Sequence, residues 1–377
     1  MPTLEDQIAG VGPRSMFEID IGQLLDRPAR HIDEQAVRRV IHGKRVLITG
    51  AGGSIGGELA RIVCRFGAGK LILVERAENA LFEIDRQIAR RAPDQPRTAL
   101  LHDVVEADAT MAHMRRLRPQ IIFHAAAHKH VPMMEDHPAA AVDNNFFGTK
   151  SVADAADAVG AERFVLISTD KAVNPSSVMG ATKRLAELYV QYLDRRSRTG
   201  FAMVRFGNVL GSAGSVLDIW SSEIAEGGPL TVTDPRMTRY FMTIPEAAAL
   251  VIQSAALVDP QAAASAVFLL DMGEPVRVLD LAHRFIALHG HCPETVRIAY
   301  TGARPGEKLH EELAYDTEAV RPTAHPDIRL WEQPAPSPQL IGHVVSVLSR
   351  RRRSPRATVV AETVRRLVRE PRQPAAA

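Results

Sequence analysis

Cysteine is nearly missing: among 377 residues only Cys64 and Cys292 carry a thiol, far apart and in neither a Cys-x-x-Cys nor a Cys/His metal spacing. That argues against a disulfide scaffold and a zinc module, and it suits a reducing cytoplasm. No stretch reaches the roughly 18 uninterrupted apolar residues of a membrane span, so no integral membrane segment is expected. EAAALVIQSAALV comes nearest, but Gln253 and Ser254 break it and Pro245 suits a helix start, so it reads as a buried helix. The opening MPTLEDQIAG lacks the basic-then-apolar order of a secretory signal. Charge of one sign is lacking too: 46 basic against 44 acidic side chains leave +2, which gives no support to a nucleic-acid partner. No internal repeat has a fixed period. What remains, 46% hydrophobic and 24% charged residues, is the composition of a soluble globular protein with one large core or two moderate ones.

From Lys44 onward short apolar runs alternate with helix-length segments: RVLITG, SIGGELARIVCRFG, KLILVE, a polar helix, IIFHAAA, a helix through Asn145, and RFVLIST. This alternation predicts an α/β fold, a Rossmann-type doubly wound parallel sheet with right-handed crossovers. The second half keeps some of the rhythm but is interrupted by Gly227, Gly228, Pro229, Pro235 and Pro245, which predicts a smaller C-terminal substrate-binding domain. Residues 1–43 are expected to be a leader docked on the core, with a scattered apolar pattern (Phe17, Ile19, Ile21, Leu24, Leu25) and a short helix from Asp33 to Ile41. Residues 44–205 form the Rossmann domain, 206–330 mainly the smaller domain with a returning Rossmann strand, and 331–377 a basic C-terminal tail and helix. The run Arg350 to Arg353 could serve a phosphate-rich surface, but a solvated loop before a terminal helix (Val359 to Val368) is the commoner reading.

Strand RVLIT runs into Gly50-Ala51-Gly52-Gly53-Ser54-Ile55-Gly56, where a helix opens, the place at which a dinucleotide pyrophosphate meets a helix N-terminus. Gly50 permits the tight turn, Gly53 lets the backbone approach the phosphates, and Gly56 lets the helix close on its strand. Glu75 ends the second strand, 19 positions after Gly56, where an acid accepts the adenosine ribose hydroxyls. That favours NAD over NADP, although Arg76 beside it could pair with a 2′-phosphate. Asp103, after a third strand ending near Leu101, is placed for the adenine, and Ala125 and Ala126 leave room for a nicotinamide ribose. His124, His128 and His130 suggest a metal only superficially: His124 belongs to a strand, His128 to the loop after it, and no acid or thiolate completes a set. No metal is expected.

Ser168-Thr169-Asp170-Lys171 directly follow strand RFVLI, and Met179 and Lys183, four apart, share a helix face. A strand-end turn with an exposed ion pair is the plain alternative. With these residues the chain resembles the extended short-chain dehydrogenase/reductases and, within them, the bacterial UDP-N-acetylglucosamine 4,6-dehydratases of polysaccharide biosynthesis, in the soluble form of the long, methionine-containing subclass. The likeness covers roughly residues 15–330 and rests on TGAGGSIGGEL, HAAAHKHVPMMED, NNFFGT, ISTDKAVNPSSVMGATKR, RFGNVLGSAGSV, GGPLTVTDPRMTRYFMTIPEA and TGARPGEKLHEEL. The leader IGQLLDRPARHIDEQAVRRVIHGKRV resembles the linker that follows a membrane domain in the long members.

The resemblance implies oxidation of a UDP-sugar at C4 by NAD, loss of water across C5 and C6, and return of hydride to C6. Lys171 is then the base at C5, Asp170 the acid for the departing C6 hydroxyl, and Lys183 the residue on the nicotinamide ribose. Most relatives carry tyrosine where this chain has Met179; a thioether cannot move that proton, leaving Thr169, Asp170 or a bound water as candidates. For the UDP-sugar the resemblance points to Asn208, Arg239, Arg304 and Glu307, since a guanidinium suits diphosphate and a carboxylate suits ribose hydroxyls. Arg304 could instead be a turn residue. His128, Lys129, His130 and Glu135 are expected to contact the sugar or order the site, and a homo-oligomer is implied. Ala213, Asp218 and Glu223 depart from the arginine, proline and glutamine usual there, which loosens the substrate reading around them. Two other readings compete: a UDP-sugar C4 epimerase, which the Asp170-Lys171 pair argues against, and a catalytically silent NAD-binding regulator, motivated by Met179 and the basic tail.

Overall fold

The apolar runs become strands because each is flanked by turn-forming residues and is buried on both faces, as parallel strands require. A computed structural model describes residues 24, 25, 27, 30, 32–258, 265–292, 294–315 and 320–369; Phe17, Ile19, Ile21 and residues 370–377 lie outside them. In chain order it contains α1 (Glu34–Ile41), β1 (Arg45–Thr49), α2 (Ser54–Arg65), β2 (Lys70–Glu75), α3 (Glu78–Arg91), β3 (Arg97–Leu101), α4 (Ala107–Leu117), β4 (Ile121–His124), α5 (Val131–Asp136), α6 (Thr149–Ala158), β5 (Arg163–Ile167), α7 (Val178–Asp194) and β6 (Gly200–Arg205). There follow α8 (Val216–Ala225), α9 (Ile244–Ala256), β7 (Ser265–Leu270), α10 (Val278–Leu288), β8 (Val320–Pro322), β9 (Ile328–Gln333), α11 (Pro338–Arg351) and α12 (Ala357–Arg369). Among the described residues the main sheet has the order β3-β2-β1-β4-β5-β6-β7-β9-β8. The first seven strands run parallel, whereas β9 is antiparallel to both β7 and β8. The order reverses between β1 and β4, which opens a crevice at their carboxyl ends where open α/β sheets bind ligands.

Two cores fill the two faces. Leu47, Ile72, Ile122, Phe164 and Met203 face one side with α4, α6, α7, α11 and α12. Val46, Ile48, Leu71, Phe123 and Val165 face the other with α1, α2 and α9. A third core, including Leu217, Trp220, Leu230, Leu281 and Phe285, makes a smaller lobe with two-stranded ladders. Helix α9 starts as Pro245 suggests, with a capping box between Thr243 and Glu246, and it is buried. No described helix is long and apolar enough to cross a membrane.

The described part of the leader links the two lobes. Leu24 and Leu25 enter the small-lobe core. Arg27 pairs with Glu246 at 2.9 Å, and Arg30 with Asp271 and Asp327, each at 3.0 Å. Asp33 caps α1 through the Ala36 N–H at 2.9 Å. At the other end composition misleads: the boundary expected at 330 falls inside β9, and the segment expected to be a basic tail contributes Trp331, Ile341, Val344, Leu348, Val360, Val364 and Leu367 to the main core. Helical spacing of these apolar residues outweighs the Arg and Pro content between them. Nor is the arginine run wholly solvated, since Arg352 pairs with Asp143 and stands 4.2 Å from the Phe147 ring centroid.

Candidate active site

The turn after β1 is shaped by glycine. Gly50 has φ +64°, and a Cβ there would lie 2.7 Å from the Ala126 nitrogen. A Cβ on Gly56 would lie 2.1 Å from the Gly50 carbonyl oxygen, and one on Gly52 2.6 Å from the Ala80 Cβ. Gly53 is the N-cap of α2 with no side-chain cap, and the first turn, from Ser54 through Ile55 and Gly56, holds no acid. Unshielded N–H groups at the positive end of a helix dipole fit an anion such as a dinucleotide pyrophosphate. Beside them the Glu75 carboxylate accepts from the N–H groups of Gly52, Arg76 and Ala77 at 3.2, 2.9 and 3.1 Å. Arg76 lies 3.8 Å from Asp103 and touches the His128 ring, so Glu75, Arg76, Asp103 and His128 gather at one rim. Ala125 and Ala126 follow β4, their N–H groups donating to the Thr49 carbonyl at 3.2 Å and hydroxyl at 3.3 Å.

The second cluster forms where β5 ends. Asp170 is fully buried; its Oδ1 accepts from the Thr169 hydroxyl at 2.9 Å and from Lys171 Nζ at 3.0 Å, while its Oδ2 is buried with no hydrogen-bond partner. Lys171 also donates to Asn208 Oδ1 at 3.1 Å, which puts Asn208 beside the Asp170 and Lys171 pair. Glu311 stands 3.8 Å from the same ammonium. Burial, which Lys171 opposes and Asp170 reinforces, pushes the Glu311 carboxyl above its ordinary range. Glu311 was not among the residues expected for the site, although it lies in TGARPGEKLHEEL four positions after Glu307, the one signal that could have found it.

Behind this cluster lies a buried charge network. Ser168 donates to Glu187 at 2.7 Å, and Glu187 also accepts from Arg205 at 2.8 and 2.7 Å and from Arg184 at 3.0 Å. Burial resists the Glu187 charge, but the guanidiniums prevail and hold the carboxyl down to about 2. Lys183 donates to the Ile167 carbonyl at 2.6 Å, and burial pulls its ammonium down to about 8. Met179 sits with Val131, Met134, Ala141, Val178 and Ala361 in a small apolar cluster. His124 lies between the hydroxyls of Thr49 at 2.7 Å and Thr149 at 3.0 Å, and burial, then Lys183, pushes it down to about 3. Asn145, in a π-helical segment (Val142–Gly148), accepts from the His128 N–H at 2.8 Å and donates to the His128 carbonyl at 3.1 Å and the Thr182 hydroxyl at 3.2 Å. It ties the loop after β4 to α7, a role that helical periodicity does not reveal.

The remaining expected residues divide. Lys129 donates to Ser212 at 3.3 Å and to the Ala213 carbonyl at 2.7 Å, and the Ala213 N–H donates to Ser54 at 3.0 Å. The loop at 212–214 thus bridges the glycine turn and the loop of His128, Lys129 and His130. Asp218 accepts the Gly214 N–H at 2.6 Å, and Glu223 accepts the Thr231 N–H at 2.8 Å. Glu135 is engaged by the Val178 N–H at 2.7 Å and by Arg365, so it braces the start of α7. Arg304 and Glu307 bind each other at 2.7 Å, and Arg239 donates to the Leu309 carbonyl at 3.1 Å.

Comparison with known proteins adds relatives to this geometry. Residues 46–333 match the family described as polysaccharide biosynthesis protein. The probable polysaccharide biosynthesis protein EpsC of Bacillus subtilis is 46% identical over 335 residues, 88% of this chain and 55% of that protein, so the chain spans about half its length. A UDP-N-acetylglucosamine 4,6-dehydratase (inverting) of Campylobacter jejuni serotype O:2 is 32% identical over 71% of this chain and 76% of its own. The X-ray structure of Pen from Bacillus thuringiensis superposes with a TM-score of 0.70 at 31% identity, covering 79% of this chain and 89% of that one.

Proposed function

The chain belongs to the polysaccharide biosynthesis protein family, with the fold of the extended short-chain dehydrogenase/reductases, and from that membership we propose that it is an NAD-dependent UDP-N-acetylglucosamine 4,6-dehydratase. The observation that carries this reading is the Asp170 and Lys171 pair, 3.0 Å apart at the carboxyl edge of the sheet, a fully buried acid joined to a base that is only partly exposed. The similarity to the Campylobacter jejuni dehydratase supports it.

A nicotinamide dinucleotide, held by the turn from Gly50 to Gly56 and by Glu75, would take hydride from sugar C4 and return it to C6. The rest falls to side chains. Lys171, as neutral amine, takes the proton from C5, which the neighbouring ketone has acidified. Asp170, protonated and aligned by the Thr169 hydroxyl, gives its proton to the departing C6 oxygen, and Asn208 fixes the Lys171 amine. Lys183 serves the nicotinamide ribose, while Arg239, Arg304 and Glu307 take the nucleotide, the last two after parting from each other. Incubation of the purified chain with NAD and UDP-N-acetylglucosamine tests the reading by mass spectrometry. The expected product has lost one water; a product of unchanged mass would instead favour a C4 epimerase.

A further inference from the structure

Oxidation at C4 breaks an O–H bond as well as a C–H bond, and only the hydride has a destination in the scheme above. The proton needs a holder. Met179 offers no basic atom and is packed among apolar side chains. Asp170 must keep its own proton until the C6 hydroxyl leaves. Glu311 is the other carboxyl in reach: its side chain is 3% exposed, Oε1 lies 3.8 Å from Lys171 Nζ, and Oε2 is buried with no hydrogen-bond partner. Lys308 Nζ is 4.0 Å from that oxygen. A buried carboxylate oxygen that no donor reaches within hydrogen-bond distance takes up a proton readily. Two carboxyls flank one amine here, so a proton on Glu311 leaves Lys171 and Asp170 free to act as base and acid.

We propose that Glu311 receives, through Lys171, the proton released from the C4 hydroxyl, holds it during water loss, and returns it through the same amine to Asp170. The inference rests on the dehydratase reading. The cycle balances. As C4 becomes a ketone, its hydroxyl proton passes to the Lys171 amine, and an N–H proton of Lys171 passes to the Glu311 carboxylate, which leaves the amine neutral. Lys171 then takes the C5 proton while Asp170 protonates the C6 oxygen, and the C6–O bond breaks to give water and a C5–C6 double bond. Hydride adds to C6, Lys171 returns a proton to C5, and the proton stored on Glu311 crosses Lys171 to restore Asp170. Glu311 acts through Lys171, so it is a positioning residue for the proton.

Stopped-flow absorbance of reduced nicotinamide, with wild type and Glu311→Gln under saturating UDP-N-acetylglucosamine, tests this. Without a holder, Lys171 stays protonated after the first step and cannot take the C5 proton. The variant is expected to accumulate reduced nicotinamide and 4-keto-hexose, with kcat about 100-fold lower and KM within about twofold of wild type. Glu311→Asp is expected to recover about tenfold of that loss and to show a smaller build-up. A purely structural role would slow turnover with no build-up. If Glu311→Gln does not fold, Glu311→Asp alone decides, because its displaced carboxylate must still accumulate more reduced nicotinamide than wild type. Wild type that dehydrates, beside variants with no build-up, overturns the role of Glu311 and sends the proton to solvent. Wild type that yields no dehydrated sugar overturns the dehydratase reading itself.

Discussion

Replacing Glu187 by alanine removes the anion that two guanidiniums share. Glu187 and Arg205 are both fully buried, and the Arg205 guanidinium lies 4.5 Å from the Trp331 ring centroid, so neither charge can turn to water. Breaking a buried pair by deleting one partner costs about 3–5 kcal/mol, because the other charge is left unpaired in a medium of low dielectric. An independent route gives the same size: the fall of the carboxyl from 4.5 to about 2 corresponds to about 3 kcal/mol. Since the folded-state value is depressed, this stability is present above the unfolded carboxyl's pKa and is lost as pH falls from 4.5 through about 2. Urea unfolding at neutral pH is expected to show the variant weaker by about 3–5 kcal/mol, and its acid-unfolding curve should lose the corresponding step. The double substitution Glu187→Met with Arg205→Met should regain most of the loss, because a packed apolar pair strands no charge. An alanine variant within about 1 kcal/mol of wild type, well below the expected cost, would refute the reasoning. Because Ser168 also loses its acceptor, the turn of Thr169, Asp170 and Lys171 should loosen, and turnover should fall with stability.

Asp170→Asn and Lys171→Ala should abolish water elimination while dinucleotide binding by calorimetry stays near wild type; near-normal turnover in either would remove the assignment. Gly56→Ala should lose dinucleotide affinity about tenfold or more, since the new methyl would sit 2.1 Å from the Gly50 carbonyl oxygen; unchanged titration curves would count against the cradle. His124 is buried neutral, lowered from 6.5 to about 3. The unfolded chain therefore binds the extra proton first, and stability should drop by up to about 5 kcal/mol as pH falls through that window. His124→Asn should flatten this part of the stability profile, and an unchanged slope would show that the imidazole does not titrate there.

Much of the sheet was legible because parallel strands must be apolar throughout, as in RVLIT and KLILV, and because the glycine turn has few sequence solutions. The helix bearing Met179 and Lys183 was legible from their spacing, whereas its cap, Ser177 accepting the Gly180 N–H at 3.1 Å, emerged only in the structure. Less visible was whatever depends on distant approach. Glu311 reaches Lys171 only because its segment lies beside the turn after β5, where Lys308 donates to the Val173 carbonyl at 2.9 Å, and nothing in HEEL separates Glu311 from Glu312. The mutual pairing of Arg304 and Glu307 was hidden for a related reason, since each residue type suits a nucleotide and also suits the other. The end of the chain was obscured by Arg and Pro, which dominate composition while Val and Leu at helical spacing decide the packing.

The two last helices also constrain how this protein can be handled. Ile341, Val344, Leu348, Val364 and Leu367 share one core with Leu185 and Tyr189 of the helix that carries Lys183. Trimming the chain just after Gln333 would uncover an oily flank of the helix that carries Lys183, inviting aggregation. Residues 338–369 are part of the packing that holds the helix of Lys183 in place, and any minimal fragment prepared for crystallisation must keep them.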